Sequence, residues 1–409
     1  MIAQTKRSIR FILSFSVFYL GLNYLWISYN SLILPTQVLY AFSAELRGIA
    51  LGAIASGGVL IGVFMNLISG IISDGMITRI GRRRPLIIAG VAGLIPVMIT
   101  AALFPPFGPL VASEYLLMQI FSNMAQGSFQ PLLPDLFPRT QRGEAGGFLG
   151  LFTLIGNALG YGLTGLLIGL GRLSASCLTV LPFMLVPSAI SLYTVWRHDA
   201  PSGAEGKGLM KALKELFRPR ERSPGFFWLV MGSFFVLLGP SGLMYFELYY
   251  FKYVLVLKNP AFGVAITGLV VLLVAMTAAV GLGKLSDRVG RKMLLIYAGI
   301  AGGFFMSLIP FLRFFYLFLL GAAAVGATTG IFSSIMPAFA GDLSPPRATG
   351  QYMAYSNLAI GGSSAVAPIV DGAVIYLLGS SFTGFMTMFL LSGLFYFIGS
   401  TLLLRTPRG

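Results

Sequence analysis

The chain has 409 residues, of which 56% are hydrophobic and only 10% are charged, and its formal net charge is +15. A soluble core of this length could not bury so much apolar surface, so the composition excludes an ordinary soluble protein and predicts a membrane protein. The basic residues lie in short connections between apolar runs, which argues against a nucleic-acid partner. The single cysteine, Cys177, and the single histidine, His198, predict no disulfide, no metal site and no cofactor.

Twelve apolar segments follow one another along the chain, each near or above the roughly 20 residues that cross about 30 Å of hydrocarbon. We place them at 9–34, 47–73, 86–104, 110–137, 145–170, 175–197, 225–257, 262–285, 293–312, 314–341, 349–377 and 381–405. The one long polar connection, a predicted cytoplasmic linker at 198–224, separates an N-terminal bundle, 1–197, from a C-terminal bundle, 225–409. We therefore predict an all-α polytopic membrane protein with 12 transmembrane helices in two pseudo-symmetric six-helix bundles.

The distribution of lysine and arginine predicts the orientation in the bilayer. If the N-terminus is inside, all of the 28 basic residues fall in inner connections and tails except Arg47, Arg172, Lys252, Lys258 and Arg313. An excess of Lys and Arg marks the cytoplasmic side of a membrane protein. We expect a multi-pass protein of the cell membrane with both termini in the cytoplasm and the lipid bilayer as its surroundings.

A short motif occurs once in each predicted bundle. Both copies read Gly-x-x-Ser-Asp and then Arg-x-Gly-Arg, at 70–74 with 79–82 and at 283–287 with 288–291, and an acid with a following arginine recurs after the fourth span of each bundle. A carboxylate that accepts hydrogen bonds from an arginine can stabilise one conformational state, so we predict a gating role; the alternative is that the arginines only set topology. The predicted gating residues are Asp74, Arg79, Arg82, Arg83, Asp135, Arg142, Asp287, Arg288, Arg291, Asp342 and Arg347.

Two six-helix repeats with such motifs resemble the major facilitator superfamily. The first motif copy has four residues between Asp74 and Arg79 and ends in 81–85, Gly-Arg-Arg-Arg-Pro, which resembles the glycoside-pentoside-hexuronide symporters and the proton-coupled sucrose and related sugar transporters. The stretches at 126–127, 132–136 and 156–160 resemble the same group. The resemblance implies a transporter that works by alternating access, in which each motif acid contacts a helix of the other bundle while the cavity faces outward.

Polar side chains repeat at helical spacing along several predicted spans. Amides both donate and accept hydrogen bonds, and aromatic rings stack on the apolar faces of pyranoses, so these stripes suit a neutral, polyhydroxylated solute such as a sugar. The alternative is that the amides join neighbouring helices. The predicted substrate-binding residues are Tyr19, Asn23, Trp26, Asn30, Gln119, Asn123, Gln126, Gln130, Asn157, Tyr161, Tyr245, Tyr355 and Asn357.

Acidic residues are rare in the predicted spans. Apart from the predicted gating acid Asp135, near the inner end of the span at 110–137, only Glu114, Glu247 and Asp371 lie inside them. All three are toward the outer ends, and they are the candidates for coupling to H+ or Na+. The related symporters have an acid where this chain has Gln119, and an amide cannot take up a proton. Because water near the outer mouth can keep the three acids ionised, the sequence favours weak or absent coupling.

The sequence thus predicts a secondary-active or facilitative transporter of a neutral sugar or glycoside. A proton-driven exporter of hydrophobic compounds is the second possibility within the same superfamily, and it should have a more apolar cavity. A non-transporting sensor or a lipid scramblase is a third possibility. We do not expect an enzyme, because the sequence contains no recognisable set of nucleophile, base and acid.

Overall fold

The protein is described here by a computed structural model that covers residues 6–76, 78–196, 223–345 and 349–407. Almost all of the predicted linker at 198–224 lies outside the described residues, as do Arg347 and the side chain of Asp287. The predictions made for those positions therefore stay predictions.

Twelve long helices account for most of the described residues, among which no strand occurs. We number them in chain order as α1 (Ile9–Ala41), α2 (Arg47–Gly75), α3 (Arg84–Leu103), α4 (Gly108–Phe129), α5 (Arg142–Gly169), α6 (Leu173–Val195), α7 (Gly225–Tyr253), α8 (Pro260–Val289), α9 (Arg291–Leu308), α10 (Phe315–Leu343), α11 (Thr349–Leu378) and α12 (Phe382–Leu403). Eleven are long and apolar enough to cross a membrane; α4 is not, because it carries Glu114 and several amides. The predicted all-α, twelve-helix membrane fold is confirmed.

Local sequence explains where several of these helices begin. The side chains of Ser8, Asn259 and Ser381 accept hydrogen bonds from backbone N–H groups in the first turns of α1, α8 and α12, at 3.3, 3.1 and 3.3 Å. Such caps satisfy donors that have no partner within the helix. Proline at the first turn of α3, α4 and α8 has the same effect, since it has no N–H to satisfy.

Two helices contain a π-helical turn, which the sequence did not predict. In α1 it spans Tyr29–Ile33, and in α5 it spans Gly160–Thr164. After its π turn α1 continues to Ala41, whereas the sequence places its end at residue 34. Conversely, α4 stops at Phe129 and a separate short helix, Leu132–Leu136, follows it. The break coincides with Pro131, whose ring disfavours a continuous helix.

The described residues divide into two compact units. One contains the chain up to Ala41 and from Gly58 onward through α6; the other contains residues 42–57 and the chain from α7 onward. The first half of α2 thus groups with the second unit, where Gly52 lies against the backbone of Pro368 and Gly372 on α11. A Cβ atom on Gly52 would overlap the carbonyl oxygen of Pro368, so the close approach depends on the glycine.

Candidate functional site

A continuous chain of hydrogen bonds joins α1 to α4 in the first unit. Tyr115 Oη donates to Asn30 Oδ1 at 2.9 Å, Gln119 Nε2 donates to Tyr115 Oη at 2.9 Å, and Asn123 Nδ2 donates to Gln119 Oε1 at 3.0 Å. The members on α4 are four residues apart, so they lie on one face of the helix. Gln119 and Asn123 are only 4% and 8% exposed. Their amides are therefore largely committed to this chain.

Two glycines on α2 make room for that chain. A Cβ on Gly58 would overlap the ring of Tyr115, and a Cβ on Gly62 would lie 2.6 Å from Nδ2 of Asn123. Small residues four apart, as Gly58 and Gly62 are, often permit close helix packing, and here they have a second effect. They let buried polar side chains of α4 occupy space beside α2.

The stripe predicted on α1 is half-buried, and its members contact α4 and α5. Asn23 Nδ2 donates to the backbone oxygen of Tyr19 at 2.8 Å and to Oγ1 of Thr153, on α5, at 3.3 Å. Trp26 Nε1 donates to Oγ of Ser122, on α4, at 3.2 Å. Each of these stripe residues keeps part of its surface accessible, so this face of α1 can contact a ligand without unfolding.

The other predicted residues of α4 and α5 differ in their exposure. Gln126 is half-buried and accepts a hydrogen bond at 2.5 Å from Asn66 Nδ2, on α2. Gln130, at the end of α4, is exposed, whereas Asn157 and Tyr161, on α5, are half-buried. In the first unit, hydrogen bonds of the predicted residues Asn30, Asn23 and Trp26 join α1 to α4 and α5.

Asn66, which donates to Gln126, is a polar residue that the sequence did not point to. It lies on α2 four residues after Gly62 and four before Gly70. The signal for Asn66 in the sequence was this spacing, which places an amide in line with two small residues.

The predicted residues of the second unit differ in their exposure. Tyr245, on α7, is buried, and Tyr355, on α11, accepts a hydrogen bond at 2.9 Å from Gln351 Nε2. Asn357 is exposed. Residues two positions apart in an α-helix are separated by about 200° around its axis, so Asn357 and Tyr355 point away from one another. The structure therefore does not bring Tyr355 and Asn357 to one surface of α11.

The motif of the first unit forms an ion-pair network with the acid that follows α4. Arg82 Nη2 lies 2.7 Å from Asp135 Oδ2, and Arg83 Nη2 lies 2.8 Å from the same oxygen and 2.9 Å from Asp74 Oδ1. The side chain of Arg83 is only 3% exposed, so it bridges the two acids from a buried position. Arg79 is exposed.

Arg142 stabilises the connection that holds Asp135. Its Nη2 donates to the backbone oxygen of Pro134 at 2.8 Å, and its Nε donates to that of Phe137 at 3.1 Å. The guanidinium group thus binds backbone carbonyls rather than a carboxylate. This contact positions the short segment on which Asp135 lies.

The second unit repeats the pattern in a simpler form. Arg291, in the second motif copy, lies 2.5 Å from Asp342 Oδ2, at the end of α10, whereas Arg288 is exposed. In both units a motif arginine therefore pairs with an acid at, or shortly after, the end of the fourth helix of the same unit. The sequence predicted both sets of residues but not that they pair with each other.

Glu114 and Asp371, two of the three candidate coupling acids, are buried. Each is 3% exposed, whereas Glu247 is half-buried. The expectation that water surrounds all three was wrong for Glu114 and Asp371. For Glu114 the reason is the length of α1, since its last turns place Gln37 against Glu114, and Gln37 Nε2 donates to Glu114 Oε2 at 2.9 Å.

The sequence of this chain is similar to those of known proteins. A family model described as Major Facilitator Superfamily matches residues 11–312 and 261–409. The chain is 25% identical over 203 residues to a lactose permease of Lactobacillus delbrueckii subsp. bulgaricus, and 34% identical over 121 residues to a sucrose transport protein of Arabidopsis thaliana. These matches cover 44% and 25% of this chain. The chain spans only 32% and 24% of the length of these relatives.

Two solved structures resemble the fold over nearly its full length. A bacterial homologue of the human lysosomal transporter Spinster, in an inward-facing and unoccupied conformation, matches with a TM-score of 0.70 at 14% identity, over 99% of this chain and 100% of that one. A D-xylose-proton symporter matches with a TM-score of 0.73 at 15% identity, over 98% of each chain. At such low identity the likeness shows the fold alone.

Proposed function

Because the chain belongs to the Major Facilitator Superfamily, we propose that it carries a neutral sugar or glycoside across the cell membrane by alternating access. The observation that carries the proposal is the half-buried face of α1, with Tyr19, Asn23 and Trp26, together with the half-buried Gln126, which lies one turn of α4 after the Ser122 that bonds Trp26. It offers amide and aromatic groups and no charge. The sequence relatives named for lactose and sucrose support a sugar as the ligand class.

The division between buried and half-buried amides supports this choice of binding face. Gln119 and Asn123 are hydrogen-bonded to each other, so displacing them would leave buried groups unpaired. Asn23 and Gln126 are also bonded but remain partly accessible, so they can exchange a protein partner for a sugar hydroxyl. We propose that the first pair shapes the site and the second pair binds the substrate.

The same proposal assigns the arginine networks to gating. Arg83 with Asp74 and Asp135, and Arg291 with Asp342, would stabilise the cytoplasmic ends of the two bundles, 1–197 and 225–409, as these bundles move. The excess of Lys and Arg in the connections that hold both networks supports a cytoplasmic location. Both termini are then cytoplasmic as well.

The proposal is tested by uptake into proteoliposomes of purified protein. Labelled sucrose, lactose and D-xylose are offered separately, and a lipophilic cation serves as the comparison for the exporter alternative. We expect at least one sugar to enter faster than into protein-free vesicles, with saturation and with competition by the unlabelled sugar. Transport of the lipophilic cation with no movement of any sugar would contradict the proposal and favour the exporter.

A further inference from the structure

A second polar cluster lies beside the amide chain, where α1 meets α4. It contains Tyr29, Gln37 and Glu114, which are 0%, 1% and 3% exposed. Gln37 Nε2 donates to Glu114 Oε2 at 2.9 Å. Three oxygen atoms of this cluster, Tyr29 Oη, Gln37 Oε1 and Glu114 Oε1, are buried and have no hydrogen-bond partner among the described residues. Buried polar atoms without partners are unusual in folded proteins and call for an explanation.

The π turn of α1 explains why these side chains meet. A π turn inserts one extra residue into a helix, and such turns are frequent at functional sites. Tyr29 and Gln37 are eight residues apart, and the inserted residue turns them onto one face, as residues seven apart would be in a regular α-helix. That face packs on α4, so the hydroxyl of Tyr29 lies near both Gln37 and Glu114.

Among the residues that the structure describes, the side chains that interact with Glu114 include no cation. From α1 it meets Tyr29 and Gln37, from α6 Cys177, and from α3 Thr100, whose own hydroxyl donates to backbone oxygens of α3. Tyr29 and Cys177 are the titratable groups among them. With Glu114 ionised, Glu114 Oε1 and Gln37 Oε1 are both acceptors, and the single hydroxyl proton of Tyr29 can serve only one of them. Burying such a charge is also costly.

A single proton resolves the arrangement. On Oε1 of Glu114 it would turn an acceptor into a donor, so that the hydroxyls of Glu114 and Tyr29 together provide donors for this cluster, in which Gln37 Oε1 and Tyr29 Oη can accept. The Gln37 amide, which donates to the other oxygen, is equally able to stabilise the ionised form. The cluster therefore contains partners for both states of the acid, as a site that loads and releases a proton requires.

We propose that Glu114, with Gln37 and Tyr29, is a proton-binding site that couples proton movement to sugar transport. The inference rests on the proposed function. The proton site is connected to the proposed substrate site through the polypeptide backbone. Tyr29 directly precedes Asn30, and Glu114 directly precedes Tyr115, so the proton site lies in the same helical turns as the amide chain. The rings of Tyr29 and Tyr115 also contact each other, with centroids 5.9 Å apart. A shift of the amide chain on sugar binding would thus alter the surroundings of Glu114.

The first experiment measures proton movement and sugar exchange in the same proteoliposomes. Labelled sucrose, lactose and D-xylose are added in turn, external pH is recorded, and counterflow is measured in parallel. Wild type should take up protons with the sugar. Glu114→Gln, which mimics the protonated acid, should lose proton uptake and accumulation driven by a pH gradient while it retains counterflow. Asp371→Asn, in which an equally buried acid is removed, should keep sugar-dependent proton uptake.

The second experiment uses Gln37→Met, which removes the hydrogen bond to the carboxylate. A hydrogen bond to a charged group stabilises the ionised form, so its loss should make the proton harder to release. We expect the pH of half-maximal uptake to rise by about one unit. This measurement decides the question if Glu114→Gln fails to fold.

The outcomes separate the two proposals. Absence of counterflow for every sugar in wild type would contradict the proposed function. Counterflow in wild type without proton uptake, or accumulation driven by a sodium gradient instead, would overturn the proton site alone. Proton-driven accumulation that survives in Glu114→Gln, or is lost in Asp371→Asn but not in Glu114→Gln, would also overturn it. An unchanged pH midpoint in Gln37→Met would do so as well.

Discussion

At the scale of single residues, the polar side chains of the first unit divide by burial rather than by type. Asn23 and Asn123 are both asparagines on predicted stripes, but Asn23 is half-buried whereas Asn123 is 8% exposed and bonded within α4. An accessible amide can exchange partners with a solute, whereas a buried one that loses its partner destabilises the fold. The two groups should therefore respond differently to substitution.

Asn23→Ala and Gln126→Ala should each weaken sugar binding. Removing an amide leaves a substrate hydroxyl without a partner, which costs about 1–3 kcal/mol, or roughly 5- to 150-fold in Kd. The measurement is equilibrium binding of the transported sugar to purified protein. Thr401→Ala serves as the control, because that hydroxyl is exposed and bonds only the backbone oxygen of Ile398, in its own helix. Unchanged Kd values in both alanine variants would mean that these amides only join helices.

Asn123→Ala should instead lower stability. It leaves Gln119 Oε1 without its side-chain donor in a buried position, which costs about 1–3 kcal/mol. We expect a lower apparent melting temperature in detergent, whereas Asn23→Ala should melt close to wild type. Equal melting temperatures for the two variants would show that burial does not separate their roles.

The sequence predicted the helix faces of these polar side chains better than it predicted their partners. Period-four spacing placed Gln119 and Asn123 on one face correctly, because helical geometry follows from the sequence interval. It missed Gln37, which lies beyond the end it assigned to the first span, and Asn66, a single amide in an apolar helix. Which side chains meet across helices depends on the π turn and on packing, and neither leaves a regular pattern in one sequence.

At the scale of helices, glycine contacts set how closely α1 and α5 approach. A Cβ on Gly156 would overlap the backbone oxygen of Leu20, on α1, whereas Gly150, on the same helix, has nothing within 4 Å of its Cβ position. Gly156→Ala should therefore force the helices apart and destabilise the fold by about 1–3 kcal/mol. Gly150→Ala is the matched control and should be neutral or slightly stabilising, because alanine favours helices. Thermal unfolding in detergent distinguishes the two.

The two arginine networks should differ in strength. Asp135→Asn removes the charge that pairs with both Arg82 and the buried Arg83, whereas Asp342→Asn affects only Arg291, whose side chain is 29% exposed. Exposed pairs contribute about 0–1 kcal/mol, and loss of a buried partner costs more. We expect slower transport in both variants, with the larger loss in Asp135→Asn. Wild-type rates in both folded variants would contradict the gating role.

At the scale of the whole molecule, the distribution of basic residues predicts the orientation, and the single cysteine makes a test simple. Cys177 is buried, so a Cys177→Ala background allows one new cysteine to be labelled at a time. Glu45→Cys lies between α1 and α2, and Thr140→Cys between α4 and α5, and both positions are exposed. A membrane-impermeant maleimide should label Glu45→Cys in intact cells and Thr140→Cys only after permeabilisation. The reverse pattern would invert the predicted topology.

The twelve-helix fold could be predicted from composition and spacing alone, because apolar segments long enough to cross a bilayer can be recognised in the sequence. The ends of α1 and α4 did not, since the first depends on a π turn and the second on Pro131. The pairing between Arg291 and Asp342 was also visible only in the structure, although the sequence predicted a gating role for both residues. The repeat in the sequence thus pointed to residues that form ion pairs but not to which residues pair.

The most direct test of the central claim is sugar counterflow in proteoliposomes of the wild type and of the double variant Asn23→Ala with Gln126→Ala. Counterflow needs no driving gradient, so it measures binding and alternation whether or not protons are coupled. We predict saturable counterflow of sucrose, lactose or D-xylose in wild type, and in the double variant a half-saturating concentration at least about tenfold higher. No counterflow of any sugar, or identical saturation curves for the two proteins, would contradict a neutral sugar bound at this face.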